Sequence, residues 1–263
     1  LGREEGSAEV GSWRDRNLLW SERLHHAPIV SLAFSPDGAT LASGANDRLI
    51  QLTNTESGGA SRTLGGHTNA PSFLYFTKDG GKLISAGFDG LLKIWDAADH
   101  PGTRVLQVNG RTLFSVGYSA DGKKLAVTAA GGPDPIRVFD TRTWERIQAF
   151  AGHRGVVTSA AFSPDGELLA TGGYDHDVRL WSIADGTCSA VLKGHDNFVE
   201  SVAFCMDGSR VVSAADDADL RIWDVASQTC IAILRGHTGR CPMLSISPDG
   251  RTIASCGIDG TVR

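Results

Sequence analysis

The sequence predicts an all-β chain, a β-propeller of four-stranded antiparallel blades, on three observations. A short string recurs: SPDG, TKDG, SADG, SPDG, CMDG and SPDG begin at Ser35, Thr77, Ser119, Ser163, Cys205 and Ser247, at intervals of 42, 42, 44, 42 and 42 residues. A fixed period of this length marks a repeat architecture. Within a unit, short β-branched and aliphatic runs follow one another. In the fifth they are VESVAF (199–204), RVVSA (210–214), LRIW (220–223) and CIAIL (230–234), which read as four strands. Both faces of these strands carry apolar or small residues, so each sheet needs cover on both sides. Neighbouring sheets stacked around an axis provide it.

Each element has its own signal. Asp-Gly, with Ser-Pro before it in three copies, favours a tight hairpin between the first and second strands. An acid such as Asp217 marks the next turn. Ten residues before each string lies His25, His67, Asn109, His153, His195 or His237, four of them in Gly-His. Eighteen residues after the string come Thr53, Trp95, Trp181 and Trp223, while the third unit reaches Phe139 two residues late. The repeats fall at approximately 24–63, 64–106, 107–150, 151–192, 193–234 and 235–263, the last cut short within its third strand. Six recognisable repeats are expected to be part of a seven-bladed ring. Residues 1–16 read as a tail or the remnant of a preceding blade, and 17–263 as the propeller. NLLWSERL (17–24) reads as an outer strand whose sheet partners lie beyond Arg263.

Composition narrows the function classes. A net charge of −5 with no cluster of Lys and Arg gives no reason to expect nucleic acid as partner. The longest apolar runs are far shorter than the roughly 20 residues that cross a bilayer as a helix, so no membrane insertion is expected. Five cysteines without a CxxC pair argue against a disulfide framework or zinc site and for a reducing, cytoplasmic setting. No phosphate loop, nucleophile elbow or HExxH occurs, so neither catalytic residue nor cofactor nor metal is assigned. His26, His100 and His176 lie off the repeat. His176, between Asp175 and Asp177, is better read as a solvated turn than as a metal or pH site, since only one imidazole is available.

The segments GGH…FDGLLKIWD (65–96), AGH…YDHDVRLWS (151–182), KGH…DDADLRIWD (193–224) and RGH…IDGTVR (235–263) resemble the WD-repeat (WD40) family. The resemblance extends over residues 24–263. It implies a buried hydrogen-bonded chain of His, Ser or Thr, Asp and Trp in each blade. By position these are His67–Ser85–Asp89–Trp95, His153–Thr171–Asp175–Trp181 and His195–Ser213–Asp217–Trp223, with His237, Ser255 and Asp259 in the last repeat. Several copies of one constellation argue for a structural role, because a reaction needs one asymmetric site.

The resemblance also implies a non-catalytic scaffold or adaptor that binds proteins or peptides, a monomeric propeller within a larger chain or complex. The alternative is a regulatory or sensory propeller of a larger enzyme, a kinase, nucleotidase or protease. Partner contacts in this family recur on the top face. They map to Asn46, Phe88, Phe114, Tyr174, Phe198, Glu200, Asp216, Arg240 and Ile258, with Pro28, Val30, Ala70, Ser72, Thr112, Val156, Thr158 and Pro242 at the other equivalent positions; the apolar ones either meet a partner or plug the central channel and pack on neighbouring loops. In AAGGPDP (129–135) the third repeat carries a remodelled top loop. There Asn109 replaces the histidine and Val127 the serine, which leaves Asp134 without its usual polar partners, in a loop that serves either for partner contact or as a surface loop open to neutral drift.

Overall fold

The computed structural model describes residues 6–12, 17–97, 103–107, 112–130, 132–247 and 249–263. His100 and Asn109 lie outside these residues. All described regular structure is β, and among the described residues no helix is long and apolar enough to cross a membrane. Contacts divide the chain into two compact units, residues 1–113 and 114–263.

In the first unit, β1 (Ser7–Gly11) and β2 (Leu18–Arg23) form an antiparallel pair. The first four-stranded sheet comprises β3 (Ile29–Phe34), β4 (Thr40–Ala45), β5 (Ile50–Asn54) and β6 (Ala60–Leu64). The second comprises β7 (Pro71–Phe76), β8 (Lys82–Gly87), β9 (Leu91–Asp96) and β10 (Thr103–Gln107). Then come β11 (Leu113–Tyr118), β12 (Lys124–Ala129), β13 (Ile136–Asp140) and β14 (Arg146–Phe150) in the third sheet. The fourth holds β15 (Val157–Phe162), β16 (Leu168–Gly173), β17 (Val178–Ser182) and β18 (Cys188–Leu192). The fifth holds β19 (Val199–Phe204), β20 (Arg210–Ala215), β21 (Leu220–Asp224) and β22 (Thr229–Leu234). Last are β23 (Met243–Ile246) and β24 (Ile253–Cys256), with one further bridge from Cys256 to Val262. In every four-stranded sheet spatial order follows chain order, the topology of an antiparallel meander.

One expectation changes. The partner of β2 is β1, from upstream, where the sequence reading sought its partners beyond Arg263. Alternation explains the pairing: Ala8 and Val10 are buried, Val10 lies opposite Trp20, and the Trp20 indole N–H donates to the Thr55 carbonyl at 2.8 Å.

The recurrent string earns its place in the first hairpin of each repeat. Gly38, Gly80, Gly122, Gly166, Gly208 and Gly250 all have φ between 68° and 73°, the left-handed region that a side chain disfavours. Ahead of five of them, the hydroxyl of Ser35, Thr77, Ser119, Ser163 or Ser247 donates to the turn aspartate. That aspartate also accepts the backbone N–H two residues on, as Asp165 does from Glu167 at 3.0 Å.

Packing between neighbouring sheets buries the apolar faces. Ala42, Ile50, Leu52 and Leu64 of the first sheet meet Leu74, Phe76, Leu83 and Trp95 of the second. The effect shows at matched positions: Leu74 and Phe76 are each 5% exposed, whereas Leu32 and Phe34 of the first sheet are 55% and 56% exposed. In the second unit, Val178, Leu180 and Leu192 pack on Val199, Val202, Phe204, Val211 and Trp223. Close approach needs small residues: a Cβ on Gly172 would lie 2.5 Å from Val199 Cγ1. Hydroxyls stitch adjacent inner strands, with Ser31 donating to the Pro71 carbonyl at 2.6 Å and Ser159 Oγ accepting from Val202 N–H at 3.2 Å.

Candidate functional site

The repeated polar residues converge in four of the repeats as follows. In the second, Trp95 Nε1 donates to Ser85 Oγ at 2.8 Å, which lies 2.7 Å from His67 Nε2, and His67 Nδ1 lies 2.9 Å from Asp89 Oδ2. In the fourth, the Trp181–Thr171, Thr171–His153 and His153–Asp175 separations are 2.8, 2.8 and 2.7 Å. The fifth gives 2.8, 2.7 and 2.8 Å through Trp223, Ser213, His195 and Asp217. In the sixth, His237 reaches Ser255 at 2.9 Å and Asp259 at 3.0 Å.

Donor inventory fixes the protons along the three chains that contain a tryptophan. The indole can only donate, so the Ser or Thr oxygen accepts from it and gives its own proton to His Nε2. Nδ1–H then donates to the carboxylate. The imidazole is thus neutral, and burial pushes His67 and His195 below the ordinary histidine value. Burial alone would raise Asp89 and Asp217. Their hydrogen bonds from the histidine and from backbone N–H groups prevail and hold both below the usual carboxylate range. These N–H groups include Thr68, Leu91, Asp196 and Asp219, so each aspartate ties two loops together.

Sequence reasoning missed two features of these chains. His25 also bonds Ser43 Oγ at 2.9 Å and Asp47 Oδ2 at 3.0 Å. The spacing already carried this, but Thr53 in place of tryptophan obscured it, and the buried Thr53 hydroxyl has no partner. A basic residue also stands two positions before the aromatic: Lys93, Arg137, Arg179 and Arg221. Lys93 Nζ lies 5.5 Å above the Trp95 ring, and Arg179 reaches Asp175 and Asp177 at 3.5 and 3.2 Å. In the third repeat Val127 is fully buried where the serine would stand. Asp134 is not free, because Arg146 on β14 reaches it at 3.4 Å.

On the top loops, the residue before the turn aspartate donates its N–H to the carbonyl three residues after the histidine. The pairs are Asn46 to Pro28, Phe88 to Ala70, Tyr174 to Val156, Asp216 to Phe198 and Ile258 to Arg240, at 2.9–3.0 Å. This bond holds the proposed contact positions together within each repeat. In the first unit Asn46 and Phe88 are exposed. In the second, Ile258 and Arg240 are exposed and Phe114, Tyr174, Phe198, Glu200 and Asp216 are half-buried. Ala70 and Thr158, expected at the contact surface, are buried: Thr158 donates to carbonyls of Gly172 and Val199.

The second unit brings five of these positions into one cluster. Tyr174 and Phe198 stack with ring centroids 4.1 Å apart and 12° between planes. His176, at φ 68°, lies in the turn between β16 and β17, partly exposed, with its ring centroid 5.6 Å from that of Phe198 in a T-shaped contact. Arg240 Nε lies 2.7 Å from Asp216 Oδ2 and its Nη2 3.1 Å from Glu200 Oε1. Among the described residues no group of three or more His, Cys, Asp or Glu side chains could hold a metal ion, and all five thiols are free.

Comparison with known proteins gives this geometry its context. The family model described as WD domain, G-beta repeat matches residues 17–54, 58–96, 144–182, 186–224 and 228–263. The unmatched stretch contains most of the third repeat, where the polar chain is missing. Periodic tryptophan protein 2 of Arabidopsis thaliana is 31% identical over 180 residues, covering 68% of this chain and 20% of the relative. Apoptotic protease-activating factor 1 of Rattus norvegicus is 28% identical over 186 residues, 71% of this chain and 15% of the relative. WD repeat-containing protein SL1-17 of Schistosoma mansoni is 28% identical over 176 residues, 66% of this chain and 58% of the relative. The chain thus spans about a fifth or less of the length of the first two relatives. With five matched repeats and sheets of four antiparallel strands in chain order, the chain belongs to the WD40-repeat family, whose repeats build protein-interaction propellers.

Proposed function

We propose that this chain is a non-catalytic docking platform, a scaffold or adaptor that presents the top-loop residues of the second unit to a protein partner. The observation that carries the reading is the cluster of Tyr174, Phe198, Glu200, Asp216 and Arg240. Aromatic rings and an arginine gathered at a partly exposed surface are the residue types that dominate binding energy at protein interfaces. The polar chains beneath supply a rigid support, and their recurrence in sheet after sheet favours a structural rather than catalytic use.

Affinity capture with the wild-type chain and with a Tyr174→Ala/Phe198→Ala variant tests this. Matched melting temperatures and loss of a specific co-purifying protein in the variant are the expected result. Undiminished capture by a folded variant would reject the surface. The second reading is a regulatory propeller of a larger enzyme. It is supported by the small share of the first relatives that the chain spans and by the name of one, a protease-activating factor. An effect of the Tyr174→Ala/Phe198→Ala pair on catalysis by the same polypeptide, with no partner captured, would favour that reading.

A further inference from the structure

We propose that Glu200, Asp216 and the Tyr174–Phe198 stack form a receptor for a lysine or arginine side chain of a bound protein, a receptor that Arg240 fills only in part and for whose carboxylates it competes. The proposal rests on the docking reading above and names the chemistry of the partner's anchoring residue.

Charge is unbalanced among these side chains. Two carboxylates, with side chains only 6% and 14% exposed at Asp216 and Glu200, share one guanidinium, so a negative charge is left over. The imbalance has a structural sign: Asp216 Oδ1 is buried and accepts no hydrogen bond. A buried carboxylate oxygen without a donor is unfavourable until one is supplied. Burial, reinforced by the charge of Asp216, pushes the Glu200 carboxyl above its ordinary value despite Arg240. Further cationic donors are what this pair lacks.

The aromatic pair supplies the remaining wall. A guanidinium or the stem of a lysine packs favourably on an aromatic face, and in the stack the Tyr174 ring keeps the face turned away from Phe198, near enough to Glu200 and Asp216 for their charges to act on its hydroxyl. Arg240 itself shows that the site accepts a guanidinium. Its side chain is 52% exposed, so it can swing outward without unpacking the core. An acidic partner would bring a third negative charge toward two carboxylates already short of compensation.

The test titrates the full chain with acetyl-Gly-Arg-Gly-amide and its Lys, Gln and Glu counterparts, following tyrosine fluorescence and amide chemical shifts. Saturable binding of the Arg and Lys peptides, absent for Gln and Glu, is expected. Arg240→Ala should tighten it by about tenfold, the scale of one charge-assisted contact, because the competing side chain is gone. Glu200→Gln keeps the shape and should weaken it by a similar factor at an unchanged melting temperature. Equal binding of the Gln and Arg peptides, or no effect of Glu200→Gln, would overturn the proposal. Partner capture that depends on Tyr174 and Phe198 while the Arg peptide fails to bind would overturn the receptor but leave the docking reading standing. Arg-peptide binding with capture unaffected by the aromatic pair would do the reverse.

Discussion

The protonation state of His195 sets whether both of its polar neighbours are satisfied. Neutral, the ring accepts from Ser213 and donates to Asp217, and both neighbours are satisfied. His195→Ala strips a buried acid and a buried hydroxyl of their partner at once, and should cost ~1–3 kcal/mol, read as a lower melting temperature. Protonation attacks the same point. His67 and His195 titrate lower when folded than when unfolded, so the unfolded chain binds more protons below the unfolded value of ~6.5 and stability falls as pH drops from there. The depressed Asp89 and Asp217 act in the same direction further down, with loss beginning below their unfolded value of ~3.9. Melting temperature should therefore decline from pH 7 toward pH 5, and a His67→Gln/His195→Gln variant should show a flatter decline. The opposite change is available at Thr53, whose buried hydroxyl has no partner. Thr53→Val removes the unmet group at nearly constant shape and should raise stability by about 1 kcal/mol in denaturant titration.

Within the elements, turn chemistry was the most legible part of the sequence. The SPDG-type strings fix a left-handed glycine at the first hairpin of each repeat. At Gly166 the nearest atom to an added Cβ is Lys124 Nζ at 3.5 Å, so the strain of φ 72° rather than crowding governs substitution. Gly166→Ala should cost about 1–2 kcal/mol, visible in thermal unfolding. The third repeat was legible as an exception: Val127 and the late Phe139 announce a missing polar chain. What the spacing did not give was the Arg146 partner of Asp134, because that contact depends on how β13 and β14 register rather than on distance along the chain. Strand β1 was equally hidden. Five residues with two inward apolar positions carry too little periodicity to stand out, and become a strand only when Trp20 lies opposite Val10.

Across the whole chain, the period assigns each residue to a repeat and thereby says which sheets are neighbours, so the packing of the fourth on the fifth could be anticipated. Which top-loop residues meet could not. Tyr174, Phe198 and Arg240 belong to three successive repeats, and their convergence is created by the stacking of those repeats. Capture by the Tyr174→Ala/Phe198→Ala variant addresses this level. A partner lost with matched stability places the binding energy on the cluster, whereas a partner retained places it elsewhere.

The sequence by itself determined the all-β class, the six repeats, the turn positions and the polar chains, because these rest on local geometry repeated at fixed spacing. Only the tertiary structure decided which hydroxyls are spent between strands, as Thr158 is, and which carboxylates are left short of donors, as Asp216 is. Burial and side-chain direction arise when sheets pack, and no spacing along one chain encodes the distance between residues of different sheets.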